Sequence, residues 1–155
     1  MARIDYYDDH SAPPANSLVP AASAVVVNDA GLILLHRRRD NDLWALPGGG
    51  MEFGESIAET AVREVHEETG YKVRPLYVIG VYSDPKHVFA YDDGEVRQEF
   101  SVCIACHVDA GTVRVSDESH EVAWFTPDQA RTLPMHERIR VRLLDYLDGK
   151  RVLFA

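Results

Sequence analysis

The sequence predicts one α/β domain, and three observations carry that expectation. The chain has 155 residues, a length that fits a single core burying roughly two-thirds of the surface exposed when unfolded. Its apolar runs are strand-sized and broken by turn residues. Two stretches carry helix starts, Ser56 with Glu59 and Thr126-Pro127 with Gln129, each with the spacing of a capping box. A composition of 46% hydrophobic and 26% charged residues excludes a disordered chain, and no apolar run reaches membrane-spanning length.

Residues 1–20 hold Pro13, Pro14 and Pro20 among small and acidic residues, which suits an N-terminal arm, so the domain itself is expected over 21–155. Ile4, Tyr6 and Tyr7 are apolar enough for that arm to pack on a partner subunit. Ala22 to Val27 and Leu32 to Leu35 flank the turn residues 28–31 and read as a hairpin. Leu43 to Leu46 is strand-like and stops at Pro47-Gly48-Gly49-Gly50. A helix follows from Ser56 to Gly70, where a left-handed C-terminal residue is favoured. Val78 to Tyr82, Val88 to Tyr91, Phe100 to Val108 and Glu121 to Phe125 read as strands, with a turn at 92–94. The last helix is expected from His136 to Leu147, where Ile139, Leu143, Tyr146 and Leu147 recur at helical spacing.

The net charge of −9 argues against nucleic acid or an anionic membrane as partner, because both attract basic patches. The start of the chain lacks the basic and apolar regions of an export signal, and two cysteines are too few for a disulfide framework. A reduced, cytoplasmic protein is the expectation. Cys103 and Cys106 are spaced C-x-x-C, which fits a redox or zinc site, yet they lie inside a strand. There, residues three apart point to opposite faces, which favours a structural role.

The acidity is concentrated. Between Gly48 and Tyr71, six glutamates stand against Arg63 alone, five of the nine net negative charges. At about 100° per residue, Ile57, Ala58, Ala61, Val62 and Val65 define a core face, with Glu68 and Glu64 on its shoulder and Glu67 a little farther round. Glu59 and His66 point away from it. A solvated acidic face would lie opposite the core, and like charges four residues apart destabilise a helix by roughly 0.2–0.5 kcal/mol. Partly buried carboxylates call for cations, and hard oxygen donors select Mg²⁺ or Mn²⁺.

Other features allow two readings. Gly48 to Gly50 lack the rest of a P-loop and read better as a loop letting the backbone approach a metal or phosphate. Arg37, Arg38 and Arg39 are either a solvated strand end or phosphate contacts, with Arg37 and Arg39 as the candidates. Tyr82, His87, Phe89 and Tyr91 could stack on a base, Tyr82 and Phe89 foremost, or could be core. His10, His36, His107, His120 and His136 show no ligand-like spacing.

The array Gly49-x5-Glu55-x7-Arg63-Glu64-Val65-x-Glu67-Glu68-x-Gly70-Tyr71 resembles the signature of the Nudix hydrolases at every fixed position. Tyr71 stands where an aliphatic residue is more usual. Trp44 to Gly49 and Trp124-Phe125 extend the resemblance to about residues 20–148. It implies an α/β/α sandwich around a mixed sheet and hydrolysis of a diphosphate bond in a nucleoside diphosphate linked to another group. Carried over by position, it implies Glu64, Glu67, Glu68 and the Gly48 carbonyl as metal ligands, Arg63 as their orienting residue, and Glu55, Gly49 and Gly70 as structural. Glu64 or another carboxylate would help deprotonate water, and Glu118 would add a ligand or base from the loop before the last strand. Pro85, 14 residues after Tyr71, stands near where the ADP-sugar branch tends to carry a proline. The resemblance implies Mg²⁺, with Mn²⁺ as substitute, a small nucleotide substrate and a possible homodimer. A nucleoside triphosphate or oxidised nucleotide pyrophosphatase and a non-catalytic nucleotide-binding module are the alternatives.

Overall fold

The computed structural model describes residues 3–154. Strands β1 (Arg3–Tyr7), β2 (Ala21–Val27), β3 (Ile33–Arg38), β4 (Trp44–Ala45) and β5 (Gly48–Gly50) precede helix α1 (Ile57–Thr69). Strands β6 (Tyr71–Tyr82), β7 (His87–Tyr91), β8 (Val96–Gln98), β9 (Ser101–Gly111) and β10 (Ser119–Phe125) follow. Helices α2 (Pro127–Thr132) and α3 (Glu137–Leu147) and strand β11 (Leu153–Phe154) complete the order.

The main sheet runs β10-β3-β2-β9-β6-β11, with β4 paired to β3 and β5 to β2. It is mixed, since β2 pairs β9 and β11 pairs β6 in parallel while the other pairings are antiparallel. Both faces are covered, which is why β2 and β3 read as continuous apolar runs rather than alternating ones. Val25, Leu35 and Cys103 pack with Ile139 and Leu143 of α3, while Ala24, Val26, Leu34 and Cys106 pack with Ala61 and Val65 of α1. The two cysteines thus sit on opposite faces of β9, both fully buried and free. The result is the α/β/α sandwich expected from the resemblance.

Strand β5 forms over the break expected at Gly48–Gly50, β8 and β11 are short strands outside the sequence expectation, and two larger differences accompany them. Strand β6 starts at Tyr71 rather than Val78, its pairing with β9 broken by register shifts at Lys72/Val73, Pro75/Tyr77 and Val78/Gly80. Pro75 cannot donate to a ladder and is accommodated at one of these irregularities. The second difference is at the N-terminus. Part of the expected arm is strand β1, which pairs antiparallel with β7 of the same chain in a second sheet ordered β1-β7-β8. Asn16 and Ser17 then hydrogen-bond to the Val96 carbonyl at 2.8 and 3.1 Å. Met1 and Ala2, with Ala155, lie outside the described residues.

Register fixes what the second sheet presents. Arg3 lies opposite Tyr91, and Asp5 opposite Phe89, which in turn faces Arg97. With a period of two, the odd-numbered residues of all three strands share one face. That face meets the main sheet.

Candidate active site

Helix α1 is fixed at both ends. The Ser56 hydroxyl accepts the Glu59 N–H while the Glu59 carboxylate accepts the Ser56 N–H, and Gly70 closes the helix at φ 84°. A β-carbon on Gly70 would collide with the Thr112 carbonyl, so only glycine fits there. The face expected from periodicity is the one observed: Ala61 and Val65 are fully buried and Glu68 is 5% exposed. The side chain of Glu64 is 14% exposed and that of Glu67 57%, a gradient that follows the helical wheel.

Strand β5 brings the glycines against these carboxylates. The Gly48 N–H donates to Glu68 Oε2 at 3.0 Å. A β-carbon on Gly49 would lie 2.6 Å from Glu64 Cδ, inside any real contact distance. Arg63 ties the loop to the helix, donating to Glu55 at 2.6 Å, Glu64 at 2.9 Å, Glu67 at 3.2 Å and the Gly50 carbonyl at 2.9 Å. Glu55 also accepts from the Glu52 N–H and the Thr60 hydroxyl, and the Arg63 hydrogen bond above all holds its carboxyl down at about 2.

The inner glutamates behave in the opposite way. Burial, then the charge of Glu64, pushes Glu68 well above the ordinary carboxyl range, and burial raises Glu64 in spite of Arg63. The charge of Glu118 adds to both. His36 lies 3.7 Å from Glu68, but burial and the charge of Arg38 hold it down to about 4, so it is a neutral neighbour and not a counter-ion. Carboxyl groups whose pKa is raised by burial and neighbouring negative charge form a hard oxygen donor set short of positive charge, which suits a divalent cation.

Glu64, Glu67, Glu68 and Glu118 line one cleft of about 520 Å³ with Gly48, Gly49, Gly50 and Arg63. Arg3, Arg38, Tyr91 and Arg97 also line it. Helix, loop and the segment before β10 therefore bring together every carboxylate proposed from the sequence. Glu121 stays outside, half-exposed and 3.7 Å from Arg37.

The substrate-binding candidates need correction. Tyr82 is fully buried in the core, its hydroxyl donating to Asp145 at 2.7 Å, and it cannot meet a base. Phe89 is 9% exposed and covered by the Arg3 guanidinium, 4.4 Å from its ring centre. Arg37 pairs with Asp42 at 2.7 Å, and Arg39 donates to the Ser119 carbonyl at 3.1 Å, both away from the cleft. Arg38, between them, is the member of the cluster that lines it. Arg3 and Arg97 went unrecognised, although alternation at Arg3-x-Asp5, Phe89-x-Tyr91 and Glu95-x-Arg97 was available as a signal.

Asp5, His87 and His136 bring ligand-type atoms within 4.8 Å of one another. These groups are already engaged. His87 stands between Asp5 at 3.4 Å and Glu99 at 3.3 Å, His136 Nδ1 accepts the Arg138 N–H at the start of α3, and Arg3 pairs with Asp5 at 2.9 Å. Glu99 also binds Arg138 and Arg142, at 2.9 and 2.8 Å. This buried network fastens the second sheet to α3.

The cleft thus gathers glutamates of a capped helix against a glycine strand braced by Arg63, a set of hard oxygen donors. The family profile described as NUDIX domain matches residues 17–147, and the chain belongs to that family. It is thus a Nudix-type pyrophosphohydrolase, of a family that generally uses divalent cations. It is 37% identical over 139 residues to a MutT-like protein of Streptomyces ambofaciens, a match covering 90% of this chain and 82% of that one. An ADP-ribose pyrophosphatase of Methanocaldococcus jannaschii is 29% identical over 133 residues, covering 84% of this chain and 73% of that one. In fold it resembles a solved NUDIX hydrolase from Nitrosomonas europaea, with a TM-score of 0.70 at 23% identity, covering 88% of this chain and 93% of that one. No helix among the described residues is long and apolar enough to cross a membrane.

Proposed function

We propose that this hydrolase cleaves the diphosphate linkage of a nucleoside diphosphate joined to a second group, with ADP-ribose or another nucleoside diphosphate sugar as first choice. One observation carries the reading: Glu64, Glu67, Glu68 and Glu118 line a single cleft together with Glu52 and Asp117, and burial raises the two innermost, Glu64 and Glu68, above the ordinary carboxyl range. The substrate is an anion, so it enters such a cleft only when cations reverse the local charge.

Glu64, Glu67, Glu68 and the Gly48 carbonyl would hold Mg²⁺, with Mn²⁺ as substitute. Once bound, the metal polarises phosphoryl oxygens, lowers the pKa of water and neutralises the leaving group. The chain's own residues do the rest. Arg63 fixes the rotamers of Glu55, Glu64 and Glu67 at once, and its contact with the Gly50 carbonyl holds the loop at a set distance from α1. Glu64 takes the proton of the attacking water, and Glu118, which lines the same cleft, serves as a further ligand or base. No covalent intermediate on the enzyme is required, because positioning and charge stabilisation account for this class of reaction.

Relatives named for ADP-ribose and for nucleoside triphosphates both occur, and the placement of Pro85 supports the nucleoside diphosphate sugar. A panel of nucleoside diphosphate sugars, dinucleoside polyphosphates and normal and oxidised triphosphates, assayed with Mg²⁺ and with Mn²⁺ and resolved by chromatography, tests this. Two monophosphate products from a sugar derivative are expected. Release of pyrophosphate from triphosphates alone would overturn the choice of substrate, and tight binding without turnover of any compound would overturn the enzymatic reading.

A further inference from the structure

We propose that the second sheet supplies the nucleobase platform, formed by Tyr91 of β7 with Arg97 of β8. The inference rests on the nucleoside diphosphate reading above and extends it to a part of the molecule that no box residue reaches. Its first ground is position. Both residues line the carboxylate cleft. Arg97 Nη1 lies 3.6 Å from where a β-carbon on Gly50 would sit, so the platform overhangs the loop that closes the metal site.

The second ground is chemistry. The Arg97 guanidinium lies over the Tyr91 ring, 4.7 Å from its centre, and is held there by two hydrogen bonds to Glu95, at 2.8 and 3.1 Å. A third contact, Nη1 to the Tyr91 hydroxyl at 3.3 Å, closes the pair. Such an arrangement offers a planar, pre-ordered surface of cation and aromatic ring, the type of surface on which bases stack. The other described residues that line the cleft include no aromatic side chain.

The third ground is elimination among the aromatic residues near the site. Tyr82 and His87 are buried, and Phe89, 9% exposed, does not line the cleft. Tyr91 alone of the four candidates from the sequence reaches the cleft. Strand β1 contributes as well, for Arg3 lies opposite Tyr91 in register and also lines the cleft. The family match begins at residue 17, so this strand lies outside it.

The test uses the full chain with Mg²⁺ and compares binding of AMP and of ribose 5-phosphate by calorimetry, so that turnover is not the readout. The wild type is expected to bind the nucleotide about tenfold or more tightly than the base-free sugar phosphate, the gain typical of stacking one base. Tyr91→Leu and Arg97→Gln should erase most of that gap, whereas Tyr91→Phe should keep it. Arg97→Lys, which retains charge but loses the plane, should narrow it and serves if Tyr91→Leu does not fold. A gap unchanged in folded Arg97→Gln and Arg97→Lys proteins, or no gap in the wild type, overturns the platform. The substrate panel, run separately on the wild type, distinguishes that result from failure of the diphosphate-hydrolase reading.

Discussion

Gly49 and Glu64 occupy complementary space: the glutamate carboxylate fills the volume that a side chain on the glycine would need, its Cδ 2.6 Å from the position of the missing β-carbon. Gly49→Ala must therefore push Glu64 off its position. Misplacing a reacting group by about 1 Å can cost on the order of 10²-fold. We expect kcat to fall by about that factor with the fold retained, as checked by circular dichroism. Activity within a few-fold of wild type would show that Glu64 tolerates displacement and is not the base.

Glu64→Gln and Glu59→Gln remove the same charge from the same helix. Glu64 faces the cleft beside Glu68, and its loss should lower kcat by roughly 10²–10⁴-fold, the range for a positioned proton-transfer group. Glu59 is exposed and accepts the Ser56 N–H at 3.0 Å. Glutamine can keep that cap, so turnover should stay within a few-fold and stability within about 0.5 kcal/mol. Equal activity in the two variants would demote the carboxylate cluster to a charged surface.

Metal removal should abolish turnover, and Mg²⁺ should restore it. Atomic absorption on the chelated protein checks that the ion has gone. Full turnover by metal-free protein would refute the assignment of the glutamates to a cation.

Acid stability should depend on Glu99. Burial raises its pKa, but hydrogen bonds from His87 and Arg138 and the charge of Arg142 outweigh this and hold the carboxyl at about 2, below its ordinary 4.5. A depressed carboxyl contributes stability that is fully present above the ordinary value and is lost as pH falls toward the folded one. Urea midpoints of the wild type should thus drop between pH 4.5 and 2. Glu99→Gln, which leaves two buried guanidinium groups uncompensated, should be about 3–5 kcal/mol less stable at pH 7, with the gap narrowing below pH 4.5. A constant gap down to pH 2 would place the stabilisation elsewhere.

The catalytic helix was legible in the sequence because its signals are local. Cap, glycine stop and helical spacing placed Glu68, Glu64 and Glu67 in their true order of burial. Arg38 was not, for a physical reason. Ile33 to His36 are buried on both faces of β3, so alternation says nothing about which face opens on the cleft, and the choice fell on Arg37 and Arg39. The second sheet escaped because β1 pairs with a strand from the other half of the chain, a contact with no local trace. Tyr82 was misplaced because aromatic residues suit a strand whether its face meets solvent or the core.

The two cysteines turn the sandwich into its own reporter. Burial pushes Cys103 up to about 11 and Cys106 up to about 12, and each thiol is sealed beneath a different helical layer. A thiol-alkylating reagent meets neither in the native state, so labelling rates measure how often each layer lifts from the sheet. Equal rates at the two positions would mean that both layers detach in one cooperative opening. A faster rate at Cys106 would mean that the catalytic helix breathes on its own, which is the freedom a site needs if it is to admit and release a bulky substrate.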